Sequence, residues 1–130
     1  MSLRIDPAAA EPLFEQIGQR VKEAVAAGLM APGDRLPSVR ELARELAINP
    51  NTVARAYEAL ERDGVIVRRQ GSGCFVTEQA SPLREDERRR RLAEQARRLV
   101  TEAFHMGFDA ADIDAAVSSE LDRVRFPERA

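Results

Sequence analysis

The chain has 130 residues, 32% charged and 5% aromatic, with a formal net charge of −2. This length suits one domain, or a small domain with an accessory segment, and no stretch is long and apolar enough for a transmembrane helix. A single cysteine excludes an internal disulfide framework, and an N-terminus without the basic start and apolar run of a signal peptide leads us to expect a cytoplasmic protein.

The acidic balance does not exclude nucleic acid, because binding depends on where charges sit. Residues 32–76 hold seven arginines and six acids, whereas residues 109–130 hold three arginines and six acids.

Residues 1–10, with Pro7 and an alanine run, are expected to be extended or loose. A helix is predicted from about Glu11 to Ala27, because Phe14, Ile17, Val21 and Val25 recur at intervals of three and four and make one apolar stripe. Gly28 ends it, and Pro32-Gly33-Asp34 is a turn signal. Ser38 opens a second helix, with Glu41 three residues on to complete a capping box. Val39, Leu42, Ala43 and Leu46 form its inner face, and Arg40 and Arg44 lie outside.

After the short link Ala47-Ile48, Asn49 is a good N-cap and Pro50 suits the first helical position. Val53, Tyr57 and Leu60 form the inner stripe of this third helix. Its early outer face carries Asn51, Thr52 and Arg55, side chains that bond base edges and phosphates. Glu58, Glu61 and Asp63 come later, so the first two turns could enter a major groove ahead of the acidic end. Two compact helices joined by so short a turn fit a helix-turn-helix.

Beyond Gly64 the pattern turns to β. Val65-Ile66-Val67 and Cys74-Phe75-Val76-Thr77 are predicted strands, and Arg68 to Gly73 a glycine-containing turn with two arginines. Three helices and a hairpin with a basic tip make a winged helix-turn-helix over residues 1–78. Ser81-Pro82 marks the boundary and reads as cap and first helical position. A long helix to about Met106 then carries Leu92, Ala96, Leu99, Ala103 and Phe104 on one side. Gly107 stops it, and Asp109 caps a last helix with Ile113, Ala116, Val117, Leu121 and Val124. The fold class is thus mainly α with a small β-hairpin: an N-terminal winged helix-turn-helix, then a helical hairpin over 79–130. Two amphipathic helices cannot cover their own stripes, so this region is expected to pair two protomers.

No residue cluster has metal-ligand spacing, and no nucleophile has an evident base partner. His105 and Cys74 stand 31 residues apart, and Cys74 reads as a hairpin residue. Gly71-Ser72-Gly73 is too short for a phosphate-binding loop. No enzyme activity and no cofactor are expected. The run Arg88-Arg89-Arg90-Arg91 follows Glu85, Asp86 and Glu87 at helical pairing distance, and reads as a solvated, salt-bridged face. Tyr57 shares its stripe with Val53 and Leu60 and reads as core.

Four separated motifs carry a resemblance: Pro12-Leu13-Phe14-Glu15-Gln16-Ile17, the run from Pro32 to Ala43, the run from Asn49 to Tyr57, and Gly71-Ser72-Gly73-Cys74-Phe75-Val76. In this order and spacing, over about residues 11–77, they resemble the GntR family of bacterial transcription regulators, and the short helical C-terminal segment is similar to that of its YtrA subfamily. The resemblance implies a dimeric repressor on an inverted-repeat operator. It also implies DNA contacts at the positions of Arg40 and Gly71. Many branches carry arginines where this chain has Pro50 and Ala54; here those two positions supply no such side chain. Arg55, one residue along, is turned by about 100° and cannot simply substitute.

The sequence therefore reads as a sequence-specific DNA-binding regulator, a repressor, acting as a homodimer on double-stranded DNA. Ser38, Arg40, Asn49, Asn51, Thr52 and Arg55 are the candidate DNA-facing residues of the helices, and Arg68, Arg69, Gly71, Ser72 and Gly73 those of the wing. Leu92, Ala96, Leu99, Ala103, Phe104, Ile113, Val117, Leu121 and Val124 are the candidate dimerisation residues. The competing reading is a protein–protein interaction module on the same scaffold, for which an exposed apolar patch on the third helix would be expected. The sequence names no small-molecule effector and calls for no membrane.

Overall fold

The computed structural model describes residues 3–78 and 85–126. The chain divides into two compact units, Met1–Pro82 and Leu83–Ala130. The Ser81-Pro82 boundary signal lies outside the described residues.

In the first unit, α1 spans Leu13–Ala26 and starts two residues later than Glu11. Pro12 holds φ −56° and ψ 145°, and a proline disfavours helical backbone in the residue before it. At the other end Gly28 takes φ 76°. Its N–H donates to Val25 O at 3.1 Å and that of Leu29 to Ala24 O at 2.9 Å, the pair of hydrogen bonds that closes a helix over a left-handed residue.

The N-terminal segment is not loose. The Gln16 side chain, only 4% exposed, accepts from Asp6 N–H at 2.7 Å and donates to the carbonyls of Asp6 and Glu11, each at 2.9 Å. One amide thus satisfies three backbone groups, and Leu3 and Ile5 pack against the core.

Helices α2 (Val39–Leu46) and α3 (Pro50–Arg62) follow. The turn between them depends on Ala47, a non-glycine residue at φ 56°. It lets Ile48 N–H reach Ala43 O at 3.0 Å and swings the chain into α3. Val53, Ala56, Tyr57 and Leu60 of α3 meet Ile17 and Val21 of α1 and Leu42 of α2, all at 1% exposure or less. Burial of each such large side chain is worth about 1.5–3 kcal/mol, so the stripe positions α3 more firmly than its own helix propensity could.

The wing differs in register from the predicted strands. β1 is Ile66–Arg69 and β2 is Gly73–Val76, paired antiparallel as Ile66↔Val76, Val67↔Phe75, Arg68↔Cys74 and Arg69↔Gly73. Arg68 and Arg69 therefore belong to the ladder, not to the turn. The tip is only 70–72, closed by Ser72 N–H donating to Arg69 O at 3.0 Å, with Gly71 at φ 78°. Such a short loop needs left-handed backbone, which glycine supplies. A third segment, absent from the sequence reading, lines the far side of β2. Gly33 N–H donates to Val76 O at 2.9 Å and Leu36 N–H to Cys74 O at 2.8 Å, while Val76 N–H donates to Asp34 O at 2.9 Å.

The second unit is α4 (Glu85–His105) and α5 (Ala110–Arg123). Gly107 at φ 87° ends α4. Asp109 and Asp112 then form a reciprocal capping box at 2.9 and 3.0 Å. Ala103 is buried, and Ile113 and Val124 are half-buried. Leu92, Ala96, Leu99, Phe104, Val117 and Leu121 are exposed, because the two helices have no extended packing against each other. Ion pairs line the rest of α4, with Glu85 and Arg89 continuing the Leu92 side and Glu87, Arg90 and Glu94 lying opposite it. Arg89 bonds Glu85 at 2.9 Å, and Arg90 joins Glu87 at 2.6 Å to Glu94 at 3.2 Å. The Arg90 guanidinium holds the Glu87 carboxyl below the usual range.

Candidate nucleic-acid interface

The start of α3 is built from its own capping chemistry. The Asn49 side-chain oxygen accepts from Asn51 N–H at 2.9 Å, and Pro50 opens the helix without a donor to satisfy. Asn49 is thus committed through its oxygen, while the Asn51 side chain is left exposed. Thr52 is half-buried beside it.

At α2, Ser38 Oγ accepts from Glu41 N–H at 3.1 Å. The reciprocal half of the expected capping box is not formed; the Glu41 carboxylate instead lies 3.9 Å from the Arg35 guanidinium. Arg40 is exposed and, among the described residues, has no ion pair with Glu41 or Glu45. It borders a shallow depression of about 340 Å³ with Ala43, Arg44, Ile48 and Pro50. Arg44, on the outer side of α2, therefore shares the surface at the foot of α3.

On the other side, a groove of about 590 Å³ separates α3 from the wing. Ser38, Ala54, Arg68, Arg69, Gly71 and Gly73 border it, and so does Glu58. One acid therefore stands nearer this surface than its later place in α3 suggests. The Glu61 carboxylate lies 3.9 Å from Arg68 Nε, while the Arg69 guanidinium lies 5.1 Å from the centre of the Phe75 ring. Gly71 and Ser72 are exposed at the tip.

Arg55 is placed differently from Asn51. Its guanidinium carbon is 3.8 Å from the centre of the Phe14 ring, so it is held on the α1 side of α3. Tyr57 is core, as its stripe implies. Its hydroxyl donates to Pro37 O at 2.7 Å, and burial, with the charges of Cys74, Glu41 and Glu45, raises its pKa. This bond ties α3 to the segment leading into Ser38.

A protruding polar helix start, arginines beside it on α2 and a hairpin wing across a groove define a winged helix-turn-helix of the DNA-binding class. The family described as "Bacterial regulatory proteins, gntR family" matches residues 13–76. The chain is 41% identical over 107 residues to the HTH-type transcriptional repressor YtrA of Bacillus subtilis (strain 168), covering 82% of each chain. Among solved structures it resembles a transcriptional antiterminator from Listeria monocytogenes EGD-e at TM-score 0.84 and 27% identity, over 100% of this chain and 98% of that one. It also resembles YtrA from Sulfolobus acidocaldarius, a GntR-family transcription factor, at TM-score 0.60 and 34% identity, over 72% of this chain and 95% of that one. The chain belongs to the GntR family of bacterial transcription regulators, in its YtrA subfamily, and carries that family's DNA-binding helix-turn-helix. Its fold and relatives are those of regulators rather than enzymes. Among the described residues no helix is long and apolar enough to cross a membrane.

Proposed function

We propose that this protein is a cytoplasmic repressor that binds an inverted-repeat operator as a homodimer. The winged region, residues 1–78, reads the DNA, and residues 79–130 join two protomers. Asn51 and Thr52 at the start of α3 meet base edges in a major groove, and Ser38, Asn49 and Arg40 fix that helix on the backbone. The wing, through Arg68, Arg69 and the tip 71–73, takes phosphates beside the groove. A two-fold dimer then needs two half-sites about one helical turn apart.

One observation carries this reading. Polar side chains lie on the outer face of α3, while large apolar ones are exposed mainly on the other unit. Among the described residues the winged unit exposes only Leu29 and Val67 of this type; the helical unit exposes nine, from Leu92 to Phe126. This distribution supports DNA on α3 and a second copy on α4 and α5, and disfavours a protein-binding role for the α3 face. The Bacillus relative's name as a repressor supports the direction of control. Selection from a random duplex pool tests the proposal: an enriched inverted repeat is expected, and a pool without enrichment would overturn it.

A further inference from the structure

We propose that Arg35 is a positioning residue that fixes the height of the wing tip against the recognition helix, and so decides whether the wing reaches the DNA backbone. The inference deepens the reading above and rests on it for the wing's place on DNA.

Arg35 sits in the segment that flanks β2, where it bridges Phe75 through the backbone. Its side chain runs past that ladder to the tip. Nε donates to Ser72 O at 3.3 Å. The Nε and Nη2 edge of the guanidinium also faces Gly73. A Cβ at Gly73 would stand 3.1 Å from Arg35 Nε, and Gly73 holds φ 110°, so the glycine leaves the room that the arginine fills. Nη2, on that same edge, lies 3.9 Å from the Glu41 carboxylate. Glu41 lies in the first turn of α2, next to Arg40, and its N–H is capped by Ser38.

Arg35 thus links three parts of the DNA-facing surface: the tip carbonyl, the bare Gly73 backbone and the capped start of α2. A two-stranded wing is weak by itself, and at its tip a Cβ on Gly71 would meet nothing within 4 Å. One guanidinium edge can face Gly73, donate to Ser72 and approach Glu41 together. A lysine ammonium keeps the charge but cannot meet all three.

Full-length protein with Arg35, Arg35→Gln or Arg35→Lys tests this in two ways. In the free protein, amide order parameters at Gly71, Ser72 and Gly73 should fall from about 0.85 to below about 0.6 in both variants, with α2 and α3 unchanged. On the selected operator, both variants should bind about three- to tenfold more weakly. The loss should map to phosphates under the wing by ethylation interference, with base preference unchanged. Unaltered order at Ser72 in Arg35→Gln, or full recovery by Arg35→Lys, would overturn the proposal. If the unsubstituted protein makes no phosphate contacts under its wing, the docked-wing reading fails instead, and the order parameters still decide whether Arg35 is the brace.

Discussion

The Arg55 guanidinium stacks on the ring of Phe14, 3.8 Å from its centre, and this takes one candidate base reader away from the leading edge of α3. A cation on an aromatic face at an exposed site is worth about 0.5–1 kcal/mol. Arg55→Ala should therefore cost about that much stability in a denaturant titration. It should leave base preference unchanged. A shift in the preferred site would mean that Arg55 leaves Phe14 to read a base.

Arg40 has no ion pair among the described residues, whereas Arg90 is tied to Glu87 and Glu94. Arg40→Ala should lower operator affinity by about 2–6 kcal/mol, since a charge-assisted contact is worth about 1–3 and counts twice in a dimer. Arg90→Ala should change affinity far less. Equal losses in parallel titrations would put the DNA surface elsewhere.

The turn inside the helix-turn-helix carries removable strain. Ala47 holds φ 56°, where a Cβ costs roughly 1–2 kcal/mol and glycine regains most of it after its extra entropy loss. Ala47→Gly should raise stability by about 0.5–1 kcal/mol in urea, with operator binding kept. A loss of stability would contradict the left-handed turn.

Much of this was legible in the residues. The α3 stripe, its Asn49-Pro50 start, the Asp109 cap and the salt-bridged face of α4 follow from local rules that a sequence displays. What was missed depends on contacts between distant positions. Gln16 pins Asp6 across ten residues, so nothing local marks residues 3–6 as ordered. Arg35 reaches Ser72 across 37 positions, and its segment's bonds to β2 are backbone bonds without a side-chain signature. The wing register was shifted because two arginines look like turn residues until Gly71 and Gly73 are seen to take the positive φ. Arg55 fitted DNA by composition alone; only the packing of α1 on α3 brings Phe14 beneath it.

The exposed apolar residues of α4 and α5 lead to a further expectation. Ending the chain at residue 78 should give a folded monomer, because Ile17, Leu42, Val53, Tyr57 and Ile66 form a core of their own. Its operator affinity should drop by about 10²–10⁴, the usual gain from linking two half-site readers. Sedimentation and DNA titration check this. A truncated chain that stays dimeric at full affinity would place the dimer contact in the winged region.

Asn51, exposed at the start of α3, is the residue proposed to read bases while the surfaces beside it hold the backbone. The most direct measurement titrates full-length protein and its Asn51→Ala variant against the selected operator and every single-base change in one half-site. A clear preference is expected in the unsubstituted protein, relaxed in the variant at one or two positions, each by about 1–3 kcal/mol. An identical preference profile in the two proteins, or none in the unsubstituted one, would contradict it.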